Sequence, residues 1–205
     1  MTRTQSRHPF EAEEKIMKLK EIGLAVVAVI AFTAFGASSA SATTLEVGGV
    51  AKNSSVSIQA SLKSGTKTLI KDTAGISSTV CEGSSLAGST SSPFTGHTVT
   101  AVTSNLQYLI CTRFITVHKA GIVHLTFISG TTATVTWSQS EWTIGSAFGT
   151  LNCKTGEGTH VGTLNGVKEG NATMTINAVF LCSGISSIWE GTYTVTSPSG
   201  LGVTG

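Results

Sequence analysis

Charge is scarce in this chain. Lys and Arg supply 13 of the 205 residues and Asp and Glu 11, together 12%, against roughly 25% in an ordinary soluble domain. From Thr43 onward there are 8 basic and 7 acidic residues among 163. A surplus of one positive charge excludes an electrostatic nucleic-acid binder, which needs a basic patch or stripe. It also excludes a solvated acidic or basic tail. Aromatic residues make up only 6%. C-x-x-C is absent, and with it the usual zinc ribbon and dithiol redox sites. So are the G-x-S-x-G of serine hydrolases, the phosphate-cradling G-x-x-x-x-G-K-[ST] and the dinucleotide fingerprint. No cofactor and no metal are expected.

Small hydroxyl residues and glycine are abundant instead. Ser plus Thr number 51 and Gly 21 among the 163 residues from Thr43. Apolar residues are interspersed throughout, so the segment is a folding domain and not a linker. Its length suits one domain. The charge shortage and the hydroxyl excess together describe a neutral, hydrogen-bonding surface.

The first 42 residues read as a leader. Met17-Lys18-Leu19-Lys20 is a basic start, Ile22 to Phe35 an apolar run of 14 residues, and Ala40-Ser41-Ala42 a small-residue cleavage site. That is the order of a secretory signal peptide. The run is too short to cross a bilayer, which takes about 20 apolar residues. No Cys follows it for a lipid anchor and no Arg-Arg precedes it. The expectation is Sec-type export with cleavage after Ala42 and no stable membrane anchor. Residues 1–16 are expected to be an over-extended start or an n-region extension, with translation beginning at Met17. The C-terminal Ser197–Gly205 carries no wall-sorting motif, apolar segment or basic tail.

Beyond the leader the hydrophobic period is two. Val56, Ile58, Ala60 and Leu62 alternate with Ser55, Ser57, Gln59 and Ser61, and Met174, Ile176, Ala178 and Phe180 with Thr173, Thr175, Asn177 and Val179. Trp189, Tyr193 and Val195 share a parity, and Glu190, Thr192, Thr194 and Thr196 take the other. Each stretch is a half-buried strand with one dry and one hydroxyl-bearing face. Turn signals at Ser64-Gly65, Lys119-Ala120-Gly121, Ser129-Gly130, Gly156-Glu157-Gly158 and Glu169-Gly170-Asn171 separate them. The spacing predicts an all-β fold of about ten to twelve short antiparallel strands, a β-sandwich or a jelly-roll-like barrel, over residues 43–205.

Four cysteines in an exported chain imply two disulfides, with three pairings open. The separations 81 to 111 and 153 to 182 are nearly equal, and similar Thr/Gly-rich stretches follow Cys81 and Cys153. This echo favours Cys81–Cys111 with Cys153–Cys182, and suggests a pseudo-duplication of two facing halves.

Candidate site residues are few. His118 and His124 flank Lys119-Ala120-Gly121, where two imidazoles could face each other across a hairpin and begin a metal site, but surface imidazoles in a strand are the expected account. Acid–base catalysis needs paired carboxylates. The only acidic residues beside tryptophans are Glu141, next to Trp142, and Glu190, next to Trp189. A sugar-binding cleft uses such pairs, but strand parity predicts that the tryptophans are core and each Glu faces water. Asn53-Ser54-Ser55 and Asn171-Ala172-Thr173 match the N-glycosylation pattern, as chance produces in Ser/Thr-rich sequence.

Several stretches resemble a group of secreted proteins of high-GC Gram-positive soil bacteria that have no assigned activity. They are Thr44–Val50, Phe148–Gly156, Ala172–Val179 and Trp189–Pro198. In layout alone the chain is similar to the secreted alkane-oxidation activator proteins, which are also small and Thr/Gly/Ser-rich. Neither resemblance implies a functional residue. The residues themselves lead to an exported, non-catalytic β protein at the cell surface or in the extracellular matrix, making weak multivalent contact with polysaccharide or with copies of itself. The alternatives are a carrier of a small apolar ligand and a small extracellular hydrolase.

Overall fold

A computed structural model of the chain describes residues 42–74, 78–91, 96–146 and 149–205. Apart from Ala42, the leader and the extension before it lie outside the described residues. The described residues belong to one compact unit, Ser41–Gly205.

They form fifteen strands and no helix. β1 (Thr44–Val47), β2 (Val50–Ala51), β3 (Ser57–Leu62), β4 (Thr68–Asp72) and β5 (Ser78–Thr90) come first. β6 (Val99–Cys111), β7 (Ile115–Lys119), β8 (Ile122–Ser129), β9 (Thr132–Ser138) and β10 (Glu141–Ser146) follow. β11 (Gly149–Lys154), β12 (Thr159–Asn165), β13 (Thr173–Cys182), β14 (Ile185–Ser197) and β15 (Leu201–Thr204) complete the set.

Eight antiparallel positions close into a barrel, in the order β3/β4, β5, β6, β8, β9, β12, β13, β14, with β14 pairing back to β3 and β4. Neighbours in space are successive in the chain, so this is an up-and-down barrel. The all-β, antiparallel expectation holds at that level. Of the expected shapes the described residues show a barrel, closed by reversals between adjacent strands.

Several turn signals interrupt a strand without reversing it. β3 and β4 both run antiparallel to β5 and β14, one after the other in the same slot. The Ser64-Gly65 turn is a detour between them. β7 and β8 likewise lie in line beside β10 and β9, with Lys119 opposite Glu141 and Ile122 opposite Ser138. β11 and β12 lie in line along β13.

β7, β10 and β11 are therefore continuations of β8, β9 and β12 beyond the barrel, forming a three-stranded tongue. All three strands crease at one level, each with a residue of positive φ: Gly121 (85°), Gln139 (57°) and Gly158 (62°). Hydrogen bonds stitch the crease. Ser140 Oγ donates to the Lys119 carbonyl at 3.2 Å. Ser140 N–H donates to Thr155 Oγ1 and Thr155 N–H to the Ser140 carbonyl, each at 3.0 Å. Trp137 Nε1–H donates to the Ala120 carbonyl at 2.8 Å. Gly121 is required here, since a Cβ would stand 2.5 Å from the Ser138 carbonyl oxygen and 2.7 Å from Trp137 Nε1.

The interior is filled by side chains, as eight strands permit. Trp137, Trp142 and Trp189 meet under the tongue, with ring centroids 5.4 Å apart for Trp137–Trp189 and 6.1 Å for Trp142–Trp189. Phe180 packs on Trp142 at 4.9 Å and Tyr108 on Trp189 at 6.0 Å. Aliphatic residues such as Ile58, Leu86, Val123 and Met174 fill the other half, and Leu201 of the β15–β1–β2 sheet closes that end.

Outside, the pairing registers align hydroxyls. Thr126, Thr134, Thr163, Thr175 and Thr192 stand directly opposite one another on five adjacent strands. Apolar-in and hydroxyl-out is the reverse of the pattern of a membrane barrel.

The structure joins Cys81 to Cys111 and Cys153 to Cys182. Each bridge links directly opposed residues at the open end of a long hairpin, β5–β6 in one case and β11/β12–β13 in the other. The two stapled hairpins stand four positions apart around the eight, on opposite sides of the barrel.

Candidate functional site

The outer face of the tongue carries a groove of about 610 Å³. Strand alternation builds it. On β10, Trp142 and Ile144 point inward and are buried, which turns Glu141 and Thr143 outward. Pairing then sets Lys154 opposite Glu141 and Asn152 opposite Thr143, and Leu181 opposite Lys154. Cross-strand partners share a face, so these side chains form one polar surface with Leu181 at its edge. Ser183 closes the end: its N–H donates to the Asn152 carbonyl at 2.7 Å and its Oγ accepts from Asn152 N–H at 3.0 Å. Ser183 has φ 49° in the β13–β14 turn.

The floor is rigid. Cys153 and Trp142 lie beneath the groove, with the Cys153–Cys182 bridge tying β11 to β13. Trp142 packs on both Phe180 and Trp189. The groove therefore moves with the aromatic core.

Its charges are tied together. Lys119 Nζ lies 2.7 Å from Glu141 Oε1. That hydrogen bond holds the Glu141 carboxyl below its usual range against a small desolvation cost, and the charges of Lys119, His118 and Lys154 pull the same way. His118 Nε2 lies 3.3 Å from Thr143 Oγ1.

Three of the sequence candidates thus meet: His118, Glu141 and Trp142, the last as floor. The others do not join them. His124 lies on β8, its Nδ1 3.1 Å from Thr100 Oγ1. The hairpin placement of His118 against His124 is not what the fold provides, because Lys119-Ala120-Gly121 is the crease between two collinear strands. Among the described residues no cluster of His, Cys, Asp and Glu is arranged to hold a metal ion.

Trp189 is buried at 1% exposure with Tyr193 and Val195 on the same inner face. Tyr193 Oη donates to Ser84 Oγ at 3.0 Å, and Ser84 Oγ donates to the Gln107 carbonyl at 2.8 Å. Glu190 faces outward and pairs with Lys71 at 3.2 Å. It lines a second, shallower groove of about 420 Å³ with Thr66, Lys67, Thr175, Asn177 and Thr192.

Thr143, Asn152, Lys154, Leu181 and Ser183 were not singled out from sequence. Their alternation was visible, but their convergence depends on the β10–β11 and β11–β13 registers. Comparison with protein-family models, with curated proteins and with solved structures found no match for this chain.

Proposed function

We propose that this chain is exported through its leader, cleaved after Ala42, and acts outside the cell as a non-catalytic barrel that holds polysaccharide in the tongue groove. The observation that carries the reading is the groove itself. It is a preformed polar concavity on a disulfide-stapled floor, lined by an amide, hydroxyls, an imidazole, a paired carboxylate and one lysine, Lys154. Such groups hydrogen-bond a polyhydroxyl ligand and, with Glu141 paired, ask little charge of it. Two disulfides fit an oxidising compartment. Glu141 is the single carboxylate lining this groove, and glycoside hydrolysis ordinarily uses two, which supports holding over cutting. The carrier alternative draws little support from the interior, where the gap is about 50 Å³ against roughly 300–1,000 Å³ for small-molecule pockets.

Co-sedimentation with insoluble cell-wall polysaccharide, xylan and chitin tests the proposal. Wild-type protein is expected in the pellet with at least one of them. Asn152→Ala, which removes an exposed amide and no core contact, is expected to weaken binding by about 1 kcal/mol, the net value of one hydrogen bond. Wild-type protein left in the supernatant with every polymer, or Asn152→Ala binding as wild type does, would count against it.

A further inference from the structure

The two polar grooves share one strand. β13 turns Thr175, Asn177, Val179 and Leu181 outward in strict alternation. Thr175 and Asn177 line the shallower groove and Leu181 the tongue groove. Val179 bridges them, 57% exposed, with Leu181 at 48%. Six residue steps separate Thr175 from Leu181, about 20 Å of extended strand. The outer face of β13 is thus a track several sugar rings long, with hydrogen-bonding groups at both ends and an apolar saddle between.

Both carboxylates along the track are paired, and Lys154 adds one cation at the tongue groove. Glu141 is held by Lys119 at 2.7 Å and Glu190 by Lys71 at 3.2 Å. A polycation would have to break these pairs, and one lysine is sparse for a polyanion along about 20 Å of strand, whereas a neutral polymer needs neither. Pyranose rings also present apolar C–H faces, which suit Val179 and Leu181, between hydroxyls that suit Asn177 and Thr175.

Resting on the glycan reading above, we propose that the ligand is a single neutral, linear polysaccharide chain running along β13 and occupying both grooves at once. Binding must then strengthen with chain length until both grooves are filled, because the second contact becomes intramolecular.

Isothermal titration with xylo-, manno- and cello-oligosaccharides, from dimer to octamer, tests this. For the series that binds, the longest member is expected to bind roughly ten-fold or more tightly than the dimer, at one chain per protein. Asn177→Ala, in the shallower groove, should weaken the octamer and leave a dimer in the tongue groove unaffected. Val179→Lys sits on an exposed position and should remove most of the length-dependent gain, with an unchanged melting temperature showing that the fold is intact. Affinity independent of length, or a gain from two proteins sharing one oligosaccharide, would overturn the two-groove track and leave the tongue groove standing. Absence of binding to every series and to the insoluble polymers would overturn both.

Discussion

Trp189 shows how parity along one strand assigns roles. Trp189, Tyr193 and Val195 face the interior, while Thr194 stands on the outer face opposite Thr173. Trp189→Ala is expected to cost about 3–5 kcal/mol, as for other buried aromatics. Thr194→Ala should cost under about 1 kcal/mol. Thermal or denaturant melts of the two variants check this, and equal melting would contradict the inner placement. The tyrosines allow a test by pH. Burial pushes the Tyr108 phenol well above its ordinary value, with repulsion from Tyr193 adding to it. Burial also raises Tyr193, against the opposing influence of its polar neighbours, Ser84 first and then Thr68 and Trp189. Below the ordinary phenol pKa of about 10, neither folded nor unfolded chain ionises and the effect on stability is nil. Above it the unfolded chain releases protons that the fold retains, so stability falls as pH rises. Phenolate absorbance should therefore appear only together with loss of folded circular dichroism. A reversible titration near pH 10 in the folded protein would contradict the burial of both hydroxyls.

The tongue and its crease govern the next level. Each disulfide closes a loop of about 30 residues, which the chain-entropy model values at roughly 3–4 kcal/mol. Replacing Cys153 and Cys182 by Ser should lower stability by about that much and also weaken glycan binding, since the bridge underlies the groove. Replacing Cys81 and Cys111 should lower stability similarly while sparing binding, because that bridge lies across the barrel. Urea unfolding and co-sedimentation of the two double variants separate these effects. The alternation of Met174 to Phe180 made β13 readable in advance, and the near-equal cysteine spacings have their geometric counterpart in two opposed, stapled hairpins. Strand continuity was not readable. Ser64-Gly65, Lys119-Ala120-Gly121 and Gly156-Glu157-Gly158 carry the same residues as reversing turns, yet each leaves its strand running on in the same slot. Local turn chemistry fixes backbone angles, whereas the direction after the turn is decided by which neighbour supplies the next hydrogen bonds. That is why sandwich and barrel both stayed open in the sequence, and why Asn152, Lys154 and Ser183 were passed over while Glu141 and His118 were noticed.

Taken together, the described residues form a closed barrel whose interior is filled by side chains. Aromatics fill one half of the interior, the β15–β1–β2 sheet closes the other, and the exterior carries hydroxyls and paired charges interspersed with exposed apolar residues such as Ile110 and Phe114. The central claim is that ligand binds to the tongue groove and is not consumed. Backbone and methyl chemical shifts of the isotope-labelled protein, followed while a neutral oligosaccharide is added, test it most directly. The account predicts shifts concentrated at Thr143, Asn152, Lys154, Leu181 and Ser183, with the ligand's own resonances unchanged over days. Shifts centred instead on the interior residues Ile58, Leu86, Val123 and Met174, or new sugar resonances from cleavage, would contradict it.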